Sequence, residues 1–210
     1  MGSSKNSDLI AQAQEWIDHD PDHETRSELL ELIKANNTEE LDDRFSRRLT
    51  FGTAGIRGTQ GGGPNRMNRL TLRKVAVGIS QYLRPESSVV IGYDARKNSE
   101  VFATDMSEVF SHYGIHSYIF TKVVPTPVLS FAVRQKSADM GIMITASHNP
   151  ATDNGCKVFL ADGAQLRSPM DDIIDRQIEL SQLPPKEIVK GPGVIEEIGD
   201  KIWIEYCETV

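Results

Sequence analysis

Cysteine is scarce in this 210-residue chain: Cys156 and Cys207 stand 51 positions apart, without the count of a disulfide framework or the spacing of metal ligands. Both are expected to be reduced and structural. No apolar run approaches the ~18 residues that a membrane span requires, which excludes a membrane role at this level of reading. A basic surplus is missing too, since 23 Lys and Arg face 30 Asp and Glu for a net charge of −7. Nothing there neutralises a nucleic-acid backbone, so a phosphate ligand must be small and held by locally placed groups. Residues Met1 to Ser7 have no apolar core and no small-residue cleavage site, so they do not read as a secretion signal and the expected compartment is the cytoplasm. Internal repeats and low-complexity tracts are absent. What remains, 39% hydrophobic and 25% charged residues, is the balance of a globular protein.

The first fifty residues carry apolar positions at helical spacing. Leu9, Ala13, Trp16 and Ile17 form one stripe. Thr25 with Glu28 has capping-box spacing ahead of Leu29, Leu32 and Ile33, and Thr38 could cap a third helix bearing Leu41, Phe45 and Leu49. From Phe51 the texture changes to a glycine-rich stretch, followed by alternating β-branched runs and helical segments. Strands are expected at Val89 to Tyr93, Ile115 to Phe120, Met140 to Thr145 and Lys157 to Leu160. Helices are expected at Leu70 to Leu83, Ser99 to Tyr113 and Pro127 to Gln135, the last capped by Thr126, and Ser168 with Pro169 repeats that device before Ile173 and Ile174. Such alternation predicts a layered α/β domain. The proline-rich stretch Leu183 to Gly193 reads as a connector. The expected organisation is therefore a helical extension over 1–49, an α/β domain over 50–183, and a connector over 184–210.

Chemistry concentrates in three loops. The apolar run MGIMITA ends in Ser147-His148-Asn149-Pro150, which delivers a serine to the carboxyl edge of a sheet, where ligands bind in open α/β folds. By pattern alone the same residues also serve as a plain turn. A serine hydrolase is disfavoured, because side chains of adjacent residues diverge and the G-x-S-x-G elbow is missing. Asn154-Gly155-Cys156-Lys157 suits a tight turn that returns a lysine toward the same edge, although a solvated strand lysine fits equally. The segment Phe51-Gly52-Thr53-Ala54-Gly55-Ile56-Arg57-Gly58 offers backbone amides and an arginine fork to an oxyanion, or is a glycine-rich turn. A third loop, Gly92 to Ser99, could add Arg96 at the same pole, or is a capped turn with solvated charges. His19, Asp20, Asp22 and His23 resemble metal ligands, but a helix end around Pro21 explains them better.

Taken together, FGTAGIRG, GYDAR and GIMITASHNPATDNGCKVF resemble the α-D-phosphohexomutases, with Arg66-Met67-Asn68 and Gly163-Ala164-Gln165 resembling the phosphoglucomutase-2/phosphopentomutase branch. The resemblance covers essentially the whole chain, but only the first of the family's four domains. It implies a mixed, mostly parallel sheet between helices, and an intramolecular phosphotransferase working through a sugar bisphosphate, such as glucose 1,6-bisphosphate. On this resemblance Ser147 carries the phosphoryl group, His148 and Asn149 shape its loop, and Lys157 and Arg57 are acid/base and electrostatic partners. Thr53 joins them as a phosphate-binding residue. A phosphoserine oxygen on Ser147 would be one ligand of Mg²⁺, and the other ligands would come from the remaining domains of the full-length enzyme. The implied partner is a phosphosugar, and the chain by itself is expected not to turn over. A sugar-bisphosphate synthase or a non-catalytic phosphosugar-binding module are the alternatives.

Overall fold

The computed structural model describes residues 2–52 and 54–210. A six-stranded sheet forms the centre, built from β1 (Ile56–Thr59), β2 (Ser88–Tyr93), β3 (His116–Phe120), β4 (Met140–Ile144), β5 (Asp153–Leu160) and β6 (Ile195–Ile198). Their spatial order is β1-β5-β4-β2-β3-β6. The pairs β4–β2, β2–β3 and β3–β6 are parallel, while β1–β5 and β5–β4 are antiparallel. The expected mixed, mostly parallel sheet is thus present.

Strand alternation sorts the side chains into two layers. Val89, Ile91, Ile142, Ile144, Ile56 and Cys156 pack with α4 (Arg69–Tyr82), α5 (Ser99–His112) and α7 (Met170–Leu180). Val90, Met143 and Phe159 pack on the other face with α6 (Thr126–Gln135) and α8 (Lys201–Thr209). The N-terminal helices α1 (Gly2–His19), α2 (His23–Lys34) and α3 (Thr38–Phe45) bury Leu9, Ala13, Trp16, Ile17, Leu29, Leu41 and Phe45 in a third cluster with Leu70.

Several local expectations shift. Asp22, not Thr25, caps α2 by accepting from the Glu24 N–H, and the Thr25 hydroxyl donates to Asp20 instead. Asn37, not Thr38, caps α3. In both cases an amide or carboxylate one or more positions upstream reaches the orphan N–H first. Helix α6 begins at Thr126 itself, with Pro125 as its cap residue. In the segment 184–210, the apolar stretch Ile198 to Tyr206 joins the core as its composition leads one to expect, with Ile198 and Ile202 on the α6 face, while β6, which extends the sheet beyond β3, is unexpected. Its four-residue strand with two central glutamates has no readable period.

Candidate active site

The strand order 4-2-3 sets the location of the site. The chain leaves β2 toward β3 and leaves β4 toward β5, so the loops after β2 and β4 meet at the carboxyl edge at a topological switch point, the position where open α/β sheets place their ligands. Ser147 lies on the second of these loops and is exposed, while Thr145 and Ala146 immediately before it are buried. Its φ is +58°, a left-handed conformation that costs a non-glycine residue about 1–2 kcal/mol. The Ser147 N–H donates to Thr145 Oγ1 at 2.9 Å, and the Ser147 carbonyl accepts from Arg96 at 3.0 Å. Backbone strain held on both sides of an exposed nucleophilic residue is a mark of a functional position.

His148 is exposed, with Nδ1 3.4 Å from Ser147 Oγ. The expectation that the two side chains diverge is corrected here: a left-handed residue curls its successor toward the same side. The contact is long for a hydrogen bond, and no carboxylate backs the imidazole among the described residues, so a hydrolytic triad is still not formed.

Arg57 sits on β1 opposite Gly155, and Lys157 sits on β5 opposite Met143, so register puts both cations on one face of the sheet. Gly155 lies between them. A Cβ there would stand 2.4 Å from the Ile56 carbonyl oxygen and 3.0 Å from Arg57 Cγ, so only glycine lets the arginine lie across the strand. Gly55, at φ +85°, permits the matching approach from β1. Arg57 donates to Asn149 Oδ1 at 3.3 Å, and Asn149 Nδ2 donates to Asp153 at 3.0 Å, which fixes the orientation of that amide. The Arg57 Nε is buried without a partner. The Lys157 ammonium makes no hydrogen bond or ion pair among the described residues. Partial burial, and then the neighbouring Arg57 charge, hold its ammonium below the ordinary lysine range. Two cations without a carboxylate partner among the described residues, one of them tied to the Ser147 loop through Asn149, give this face of the sheet edge the chemistry to receive an anion. Cys156 between them faces the core, and burial pushes its thiol up to about 12, so it is no nucleophile.

Of the residues expected from sequence, Ser147, His148 and Asn149 share one loop, Arg57 reaches that loop through Asn149, and Lys157 neighbours Arg57. Thr53 lies outside the described residues. The phrase Asn154-Gly155 is not a turn but the start of β5. Asn154 is fully buried, its amide donating to the Lys97 carbonyl and Ser99 Oγ, which ties the loop after β2 to β5. Arg96 comes to the same pole as one reading expected, and its charge is not solvated as the other had it, since its terminal donors go to backbone carbonyls of the serine loop. Asp175 was not anticipated: it accepts from both terminal nitrogens of Arg48 and from the Phe51 N–H at 2.8 Å, anchoring the start of the glycine-rich loop to α7. Only its distance in sequence, 124 residues, hid it.

The polar groups of the His19 to His23 cluster are engaged in local structure. His19 contacts the Pro184 carbonyl, Asp20 accepts from Thr25 and the Asp22 N–H, and Asp22 caps α2. No group of three His, Cys, Asp or Glu able to hold a metal occurs among the described residues. No helix there is long and apolar enough to cross a membrane.

The fold and loops define an α/β domain that presents a hydroxyl and two cations at its sheet edge. Residues 48–183 match the family model described as phosphoglucomutase/phosphomannomutase, alpha/beta/alpha domain I, and the chain belongs to that family. The phosphopentomutase of Homo sapiens is 38% identical over 190 residues, covering 85% of this chain and 31% of its own length. A phosphoglucomutase of Staphylococcus aureus strain MRSA252 is 44% identical over 143 residues, covering 67% of this chain and 26% of its own. Among solved structures, a Thermus thermophilus protein provisionally named a phosphomannomutase superposes with a TM-score of 0.65 at 30% identity, over 78% of this chain and 36% of that one. The chain thus spans under a third of the length of these curated relatives.

Proposed function

We propose that this chain is the phosphoryl-carrying domain of a sugar-phosphate mutase of the phosphoglucomutase/phosphopentomutase type, with Ser147 as the carrier. The observation that carries the reading is the exposed, left-handed Ser147 on a loop that Arg57 reaches through Asn149, with Lys157 close to Arg57 and neither cation paired to a carboxylate among the described residues. In the forward half-reaction a sugar hydroxyl attacks the phosphorus of phosphoserine 147. The P–Oγ bond breaks, the Lys157 ammonium protonates the departing Oγ, and the hydroxyl proton passes to a base, giving free serine and a sugar bisphosphate. After the bisphosphate reorients, Ser147 Oγ attacks its other phosphorus, the P–O bond to the sugar breaks, Lys157 takes the serine proton back, and the base returns its proton to the departing sugar oxygen. Arg57 offsets the charge on the transferring oxygens, and its unpartnered Nε is a donor ready for that use.

Mg²⁺ fits this chain only in part: one phosphoserine oxygen would be a ligand, and the described residues supply no carboxylate cage. The chemistry it brings is charge neutralisation at the phosphoryl group, with the other ligands supplied by further domains. A sugar-bisphosphate synthase would use the same serine with another donor. A non-catalytic binding module is less well supported, because binding needs the cations but not a strained hydroxyl.

The test uses the chain joined to the family's other domains. Incubation with glucose 1,6-bisphosphate and Mg²⁺ should add one phosphoryl group to the Ser147 peptide, read by mass spectrometry. Ser147→Ala should lower mutase turnover by at least about a thousandfold. Normal turnover by that variant would sink the proposal.

A further inference from the structure

Among the described residues at this edge, Arg96 is the cation whose donors are all engaged. A guanidinium carries five N–H donors in a fixed fork. One terminal nitrogen of Arg96 donates to the carbonyls of Pro150 at 2.7 Å and Asp153 at 3.0 Å, the other to those of Ser147 at 3.0 Å and Asn149 at 2.8 Å. Nε faces Asp94 at 3.2 Å, with the arginine side chain only 16% exposed. Asp94 in turn accepts from the Arg96 N–H and from Ser99 Oγ, so the fork is itself held. Buried Asn154 closes the circuit from β5 onto Lys97 and Ser99.

Such a group cannot also grip a phosphate, because no donor is left and Asp94 balances its charge. Its acceptors are four carbonyls spread over 147–153, the segment that must keep Ser147 left-handed. We infer that Arg96 is a positioning residue, a staple from the loop after β2 that fixes the presentation of Ser147 Oγ and thereby sets the rate of phosphoryl transfer without contacting the sugar phosphate. The inference rests on the mutase reading of Ser147. Its structural half stands apart from that reading.

Two arms test it. In the chain, Arg96→Ala should raise amide hydrogen exchange across residues 145–153 while the core strands keep their protection. In the protein with its other domains, the same variant should lower kcat about a hundredfold, as expected for a misplacement of about 1 Å, and leave KM for the sugar phosphate within about threefold. Arg96→Lys, a point charge that cannot span four carbonyls, should fall between Arg96→Ala and the parent in both readouts. The inference is overturned if Arg96→Ala keeps kcat within about twofold, if exchange in 145–153 does not change, or if exchange rises through the whole sheet, which would make Arg96 a general fold residue. Full turnover by Ser147→Ala would remove the mutase reading while the exchange arm still decides the staple.

Discussion

Lys157 shows how the site costs the fold something. Its ammonium is disfavoured first by partial burial and then by Arg57, so its folded pKa lies below the ordinary 10.5. Between those two values the unfolded chain binds more protons than the folded one, so stability rises with pH through that window. Below the folded pKa the penalty is present in full. Lys157→Met should therefore raise the thermal midpoint near neutral pH, and the gain should shrink as pH climbs through the folded pKa toward 10.5. Inorganic phosphate should also narrow the gap, because an anion between the cations favours the charged lysine of the parent. Thermal scans at several pH values read all of this, and a gain that grows with pH would contradict it. Candidate residues of this kind are legible because the motifs carry them as side chains with obvious chemistry. Arg96 was legible only as a charge: its carbonyl partners have no side-chain signature, and a fork on backbone looks in sequence like any arginine in a turn.

At the scale of elements, long periodic helices and the apolar central strands announce themselves. Of the stripe Phe102, Met106, Val109, Phe110 and Tyr113 that helical spacing puts on one face, the first four are buried on α5 while Tyr113, its C-cap residue, is exposed, and β4 is buried along its whole length. The edge strands do not. β1 is four residues, Ile-Arg-Gly-Thr, too short to show alternation, and its partner β5 lies almost a hundred residues away. Yet β1 carries Arg57, so the least readable strand holds a central site residue. Its seat depends on glycine. Gly155→Ala would drive a methyl group to 2.4 Å from the Ile56 carbonyl oxygen and push β1 off the sheet. A loss of about 1–3 kcal/mol in urea unfolding is expected. Gly199→Ala, where nothing lies within 4 Å, is the control and should stay within about 0.5 kcal/mol. Equal effects at the two positions would show that the close approach of β1 to β5 is not what Gly155 provides.

For the whole molecule the question is how much of a phosphotransfer centre one chain can hold. It holds the exposed Ser147 loop, the Arg96 fork bound to that loop, and two cations, all on one edge of a sheet packed between helices. A net charge of −7 gives an anion no long-range attraction, and salt screens charge effects beyond a Debye length, so the pull on a phosphate is confined to the nearby Arg57 and Lys157. Nothing among the described residues forms a metal cage. A sugar bisphosphate also spans farther than one cation pair, and it needs a second anchor to present each phosphate in turn. The chain alone should therefore bind inorganic phosphate weakly, with chemical-shift changes confined to residues 145–157 and the neighbourhood of Arg57. It should not interconvert glucose 1-phosphate and glucose 6-phosphate in a dehydrogenase-coupled assay, with or without Mg²⁺. Turnover by the chain alone at a rate that Ser147→Ala abolishes would mean that one domain suffices, and the division of labour argued here would have to be redrawn.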